Sequence, residues 1–290
     1  MRRTLTLAAQ RGFTLVEAIM VIVIIGILGA IVAVFIRAPI QGYVDAVARA
    51  EATDEADLAL RRMARDIRLA LPNSVRVNAA GSAIEFLLTR TGGRYLAAED
   101  EAQSGTPLSF TDTSAAGRSF TVVGRLAANI ERGNQIAVFN LGLPGADAYE
   151  NPSPTLSVVA IGAAAGAENA LVTLERNRFA DQPAPMPSPD ARFQVVEGPV
   201  SYVCEAAPGG GFMLRRYAGY AINAAMTVPP AGVQPAMLAA RVATCANLFR
   251  NETAASSRAG LVVMSLSLRT RNIADPAVRL VHQVRVDNTP

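Results

Sequence analysis

No lysine occurs anywhere in the chain. All 27 basic side chains are arginine, there is a single histidine (His282), and there are two cysteines. Each scarcity removes a class of chemistry. Without a lysine, and with no helix start after it, the glycine-rich stretch Pro208-Gly209-Gly210-Gly211 reads as a hairpin turn and not as a phosphate cradle. His282 has no recognisable nucleophile partner, since Ser201 and Ser265 lie in strand-like sequence without a G-x-S-x-G elbow. Two cysteines and one histidine do not complete a four-ligand zinc site without carboxylate help. No C-x-x-C pair marks redox work. The chain reads as a non-enzyme, with no cofactor expected.

Acids are missing from one place in particular. Arg2, Arg3 and Arg11 precede the first apolar run with no acid among them, so the remaining 24 arginines face 24 acids. The formal net charge of +3 therefore comes entirely from the N-terminal end. It gives no ground for a nucleic-acid partner.

What is present is a long apolar run. From Phe13 to Ile36 the only charge is Glu17. As a helix that stretch is roughly 36 Å long, enough to cross a bilayer. A secretory signal peptide has a shorter apolar core, and Arg37-Ala38-Pro39 is a poor cleavage site. A plain anchor explains the length and the flanking arginines, which stay cytoplasmic by the positive-inside bias. It does not explain Glu17, because a charge within such a segment costs at least about 2.5 kcal/mol and marks a functional position.

Gly12-Phe13-Thr14-Leu15-Val16-Glu17, behind a basic leader and ahead of the apolar run, resembles the class III signal of type IV pilins and type II secretion pseudopilins. The resemblance implies a leader, residues 1–12, removed by a prepilin peptidase that cuts between Gly12 and Phe13 and N-methylates Phe13. It also implies that Glu17, the fifth residue after the cut, pairs with the N-terminal amine of a neighbouring subunit during assembly. Two opposite charges buried together relieve each other's desolvation. The implied fold is α+β. A long N-terminal helix, transmembrane over 13–36 and amphipathic over 37–71, packs on a mostly antiparallel sheet in a periplasmic head, residues 72–290.

The later sequence fits that plan. Pro39 and Gly42 predict a kink or break near 37–42. Leu60, Met63, Ala64, Ile67 and Leu71 recur at helical spacing, with Arg61, Arg62, Arg65 and Arg68 on the other faces. Asp45, Glu51, Asp54, Glu55 and Asp57 precede those arginines, a polarity that suits the helix dipole. Pro72 is expected to stop the helix.

Strands are expected at 82–88, 119–125, 135–140, 170–175, 192–196, 200–205, 211–217, 260–269 and 277–286. Thr91-Gly92-Gly93-Arg94 reads as a turn or loop, and the proline-rich 180–190 as a linker or surface loop. Val262, Met264, Leu266 and Leu268 share one strand face. In the last strand His282 falls among Val278, Leu280, Val284 and Val286, as a packing residue.

Cys204 and Cys245 both follow the apolar run, on the side away from the arginines, where disulfides persist. A bridge between them closes a loop of about 40 residues and is worth roughly 3–4 kcal/mol. Glu99-Asp100-Glu101 reads as a solvated loop; calcium is the alternative, without the ligand spacing of an EF-hand. Asn251-Glu252-Thr253 matches a glycosylation acceptor, a pattern common by chance.

Further blocks narrow the resemblance. Residues 39–45, 59–66 and 71–76, Gly198-Pro199-Val200-Ser201-Tyr202-Val203-Cys204, and the tail from Leu280 to Asn288 are similar to minor pilins of the mannose-sensitive haemagglutinin (MSHA) pilus, of the MshO type. Residues 95–190 resemble nothing specific. The implied role is assembly or priming near the tip of a pilus. Implied partners are the inner membrane, other major and minor pilins, the platform protein and the assembly ATPase. The alternatives are a J-like minor pseudopilin of type II secretion and a tip adhesin whose 95–190 region binds a surface ligand.

Overall fold

The computed structural model describes residues 12–100, 104–252, 259–271, 275–287 and 289, without the side chains of Ala38 and Ala259. The leader's Arg2, Arg3 and Arg11, with Glu101, Thr253 and Asn288, lie outside the described residues. The chain divides into two compact units, Met1–Ala50 and Glu51–Pro290.

Among the described residues one α-helix, α1, runs Leu15–Arg68. From Leu15 to Ile36 its side chains, Glu17 aside, are apolar on every face, and all are exposed. The expected break at 37–42 is absent, because the helix passes through Pro39 and Gly42 unbroken. A proline removes one i→i−4 hydrogen bond, whereas unwinding the segment would unpair several backbone groups that an apolar setting leaves unsatisfied.

In the second unit the 51–68 stretch of α1 is amphipathic. Ala52, Ala56, Ala59, Leu60, Met63, Ala64 and Ile67 are buried, while Arg61, Arg62, Arg65 and Arg68 are exposed. Full burial of a side chain such as Met63 or Ile67 contributes about 1.5–3 kcal/mol. The helix ends at Arg68 and not at 71. Residues 69–71 turn instead toward a strand: the Leu71 amide donates to the Leu87 carbonyl (2.7 Å) and the Thr89 amide to the Leu69 carbonyl (2.8 Å).

Twelve strands follow among the described residues. They are β1 Arg76–Val77, β2 Ala83–Tyr95, β3 Ser119–Val123, β4 Gln135–Ala137, β5 Leu156–Ile161 and β6 Leu171–Leu174, then β7 Arg192–Ala206, β8 Phe212–Ala218, β9 Ala236–Val242, β10 Phe249–Asn251, β11 Ala259–Arg269 and β12 Ala277–Asp287. Every pairing is antiparallel. The architecture is thus the expected α+β arrangement of a pilin fold.

Two strands expected at 192–196 and 200–205 are one, β7, which carries Pro199 opposite Leu87. The expected turn at Thr91–Arg94 lies inside β2. Gly92 and Gly93 are there because Phe193 crosses close by: a Cβ on Gly93 would stand 2.9 Å from the Phe193 ring, and one on Gly92 2.9 Å from the Phe193 carbonyl. The Pro208–Gly211 turn does join β7 to β8, with Gly210 and Gly211 at φ +89° and +74°, a conformation glycine adopts freely.

The long strands β2 and β7 serve two cores. Their helix-proximal halves, with β8, β9, β10, β11 and β12, pack on α1 around Phe86, Tyr202, Leu214, Met264 and Leu266. The alternation expected of β11 holds, with Val262, Met264, Leu266 and Leu268 all buried. Their far halves close a ring in the order β2-β3-β6-β5-β4-β7, with β7 returning to β2. Phe120, Ile136, Val159, Val172, Phe193 and Val195 fill that ring, Phe120 meeting Phe193 edge-on at 5.6 Å. Closure removes free strand edges. Most of this second core comes from residues 95–190.

Candidate assembly site

The Gly12–Phe13 junction stands just ahead of α1 in non-helical, exposed backbone. Thr14 caps the helix. Its carbonyl accepts from the Ala18 amide at 3.2 Å, and its Oγ1 accepts from the Glu17 amide at 3.3 Å. Thr14 is therefore the N-cap and Glu17 the third helical residue, the spacing of a capping box. A carboxylate there faces the positive end of the helix dipole. The cap thus sets the Glu17 backbone about one helical turn behind the Gly12–Phe13 junction.

On either side of Glu17 the apolar surface is exposed among the described residues. Phe13, Leu15, Ile22, Val34 and Phe35 are each at least 70% exposed. A helix apolar all round is covered by lipid or by other helices. Gly26, Gly29, Ala30 and Ala33 recur at i, i+3, i+4 and i+7, and a Cβ on Gly26 or Gly29 would meet nothing. This shallow side is the kind at which membrane helices approach closely. The spacing is readable in the sequence but is overshadowed there by the hydrophobic length.

Residues 7–33 match the Prokaryotic N-terminal methylation motif. The motif supports a type IV pilin-like protein, anchored in a membrane by its apolar N-terminal helix. It implies processing by a prepilin peptidase and assembly with other pilins, and it points to a structural protein in place of an enzyme. No curated protein and no solved structure matches the chain.

The other sequence candidates lie in the head. Cys204 and Cys245 are bridged, with Cα atoms 5.5 Å apart, tying β7 to the segment between β9 and β10. Asp100 is engaged by protein groups: Arg94 Nη2 donates to both carboxylate oxygens at 2.7 and 2.8 Å and the Ala97 amide donates at 3.1 Å. The backbone donor first, then the guanidinium, hold its pKa below the ordinary value. His282 is half-buried opposite Met264 in β11, and its Nε2 has no hydrogen-bond partner among the described residues.

Sequence reasoning missed the polar groups that fasten the helix to the sheet. Asp66 Oδ2 accepts from Tyr202 Oη at 2.7 Å and from Arg216 Nε at 2.8 Å. Glu55 accepts from the Ala240 amide at 2.8 Å and from Arg241 Nη2 at 3.0 Å. Both acids flank the buried stripe of α1, which was the available signal. Burial, then the nearby Asp66 charge, raise the Tyr202 pKa.

Proposed function

We propose that the chain is a minor pilin of an MSHA-type type IV pilus, working by assembly and priming near the tip. Phe13–Ile36 spans the inner membrane, with the N-terminus cytoplasmic and the head periplasmic. After cleavage behind Gly12, the N-methylated Phe13 amine of one subunit meets Glu17 of the next. Moving such a helix from lipid into a bundle of sister helices changes its apolar surroundings little. Close packing along Gly26, Gly29 and Ala30 and the Glu17 pairing must then supply the specificity.

The observation that carries this reading is the capped placement of Glu17, one helical turn behind the Gly12–Phe13 junction at the head of an uncovered apolar helix. The resemblance of the later blocks to MSHA minor pilins adds the choice of system, and the large head adds the tip position.

Two variants and one deletion test it. Gly12→Val is expected to leave a slower-migrating precursor in the membrane; unaltered migration points to a plain anchor. Glu17→Ala is expected to be processed but poorly incorporated into sheared pili on immunoblots, and normal incorporation refutes the pairing. A deletion strain is scored for surface fibres and for secreted enzymes. Loss of secretion with normal fibres assigns the chain to a J-like secretion pseudopilus instead.

A further inference from the structure

The register of β2 and β7 sets two like charges directly opposite each other, since Arg94 pairs with Arg192. Such a cross-strand pair is destabilising. Each arginine has its own carboxylate: Asp100 takes Arg94, and Asp190 stands 3.4 Å from Arg192 Nη2. These four groups line an open groove of about 1290 Å³, into which Glu99 adds one further carboxylate.

The groove has an aromatic base. Tyr95 and Phe193 are buried, and the half-buried Phe110 ring lies 5.9 Å from that of Tyr95. Pro185, Pro187 and Pro189 form one wall. That proline loop is fastened to the base, because the Ser188 amide donates to Tyr95 Oη at 3.0 Å. At Gly92 and Gly93 the lining is backbone, close against Phe193. The result is a concave site with an apolar base and a few placed polar groups, the usual build of a small-ligand pocket.

We propose that this groove binds a neutral saccharide, with the Arg94–Asp100 and Arg192–Asp190 pairs holding its hydroxyls and Phe110 packing against a C–H face of a sugar ring. Carboxylates only accept and guanidiniums only donate. A hydroxyl does both, so neighbouring hydroxyls satisfy both members of a pair without adding charge. An anion would meet three carboxylates, and an organic cation two guanidiniums. A peptide strand has no edge to join here, because β2 and β7 pair with each other through this stretch and strand addition needs a free edge. The proposal does not depend on the assembly reading, and either can fail alone.

The test is saturation-transfer NMR on the full-length protein in lipid nanodiscs. The probes are a panel of neutral trisaccharides (maltotriose, cellotriose, chitotriose, mannotriose), with sialyllactose and a proline-rich peptide as contrasts. Saturable binding of at least one neutral member is expected. Its affinity should fall about tenfold or more in Asp190→Asn and in Phe110→Ala and stay unchanged in Arg125→Gln, an exposed change elsewhere on the ring. Asp190 is exposed, so Asp190→Asn keeps the test meaningful if Phe110→Ala unfolds. No saturable binding across the neutral panel, binding indifferent to Asp190→Asn, or binding of sialyllactose or the peptide alone would each overturn the proposal.

Discussion

Arg90 and Glu197 are the two residues left over in the β2–β7 register, and they bind each other, with Arg90 Nε 2.6 Å from Glu197 Oε1. Leu88 pairs with Gly198 but Thr89 with Val196, and Thr91 then pairs with Val195. Each strand thus carries one extra residue, a bulge, at the place where the pair leaves the helix-packed sheet and enters the ring. Bulges bend strands and increase twist. Glu131 takes the other end of Arg90 at 2.9 Å.

The register matters more than the ion pair. Both side chains are about a third exposed, so Arg90→Ala should change stability by less than about 1 kcal/mol. Deleting Glu197 alone removes one bulge without the other and shifts the far half of β7 by one residue. That shift turns Phe193 and Val195 out of the ring core. We expect near-native urea unfolding of detergent-solubilised Arg90→Ala, and a protease-sensitive head in the deletion.

Asp66 joins helix to sheet through a partly buried pair, with Arg216 and Asp66 side chains 20% and 17% exposed. Removing the acid leaves a guanidinium and a tyrosine hydroxyl without their acceptor. Asp66→Ala should cost about 2–3 kcal/mol, less than the loss expected for a fully buried pair. Comparing Asp66→Ala, Arg216→Ala and the double variant by urea denaturation checks this. Strictly additive losses would show that the two residues do not interact.

Gly93 has no room for a methyl group. Its Cβ would lie 2.9 Å from Phe193 Cε1 and 3.0 Å from Cζ, and that ring is buried against Phe120. Gly93→Ala should therefore destabilise by about 1–3 kcal/mol through overpacking, read as a lower urea midpoint. Phe193→Leu in the same background should recover part of the loss, which a purely conformational effect at residue 93 would not allow.

How much of this was readable beforehand depends on the range of the causes. The stripe Leu60, Met63, Ala64 and Ile67 and the alternation of β11 are local periods, and both stand where expected. The cysteine pair followed from compartment and number. By contrast, β9 is the alanine-rich Ala236–Val242 and carries no strong local strand signal. β5, Leu156–Ile161, holds Val158, Val159 and Ile161 between Pro154 and Gly162 and is a legible strand missing from those expected. Ring closure joins strands far apart in sequence, such as β4 to β7, and no local period encodes that. Gly92-Gly93 reads locally as a turn because glycine marks both turns and close approaches. The Thr14–Glu17 cap was legible as a T-x-x-E spacing, but the cost of a charge in an apolar run drew attention to Glu17 alone.

Alkaline pH should unfold the head through its buried tyrosines. Burial raises the pKa of Tyr95 to about 12, and burial likewise raises Tyr149, Tyr202, Tyr217 and Tyr220. In the unfolded chain each titrates near its ordinary value of about 10. A group whose folded pKa is raised contributes fully below its unfolded pKa, and that contribution is lost as pH climbs toward the folded value. Stability should therefore be insensitive to these groups from neutral pH to about 9 and fall steeply from about 10 upward. Thermal unfolding followed by circular dichroism across that window tests this, with tyrosinate absorbance read in parallel. Five of the six tyrosines lie in the head with raised pKa values and should ionise only as the head unfolds. Full tyrosinate absorbance while the fold is intact would show that these hydroxyls are open to water.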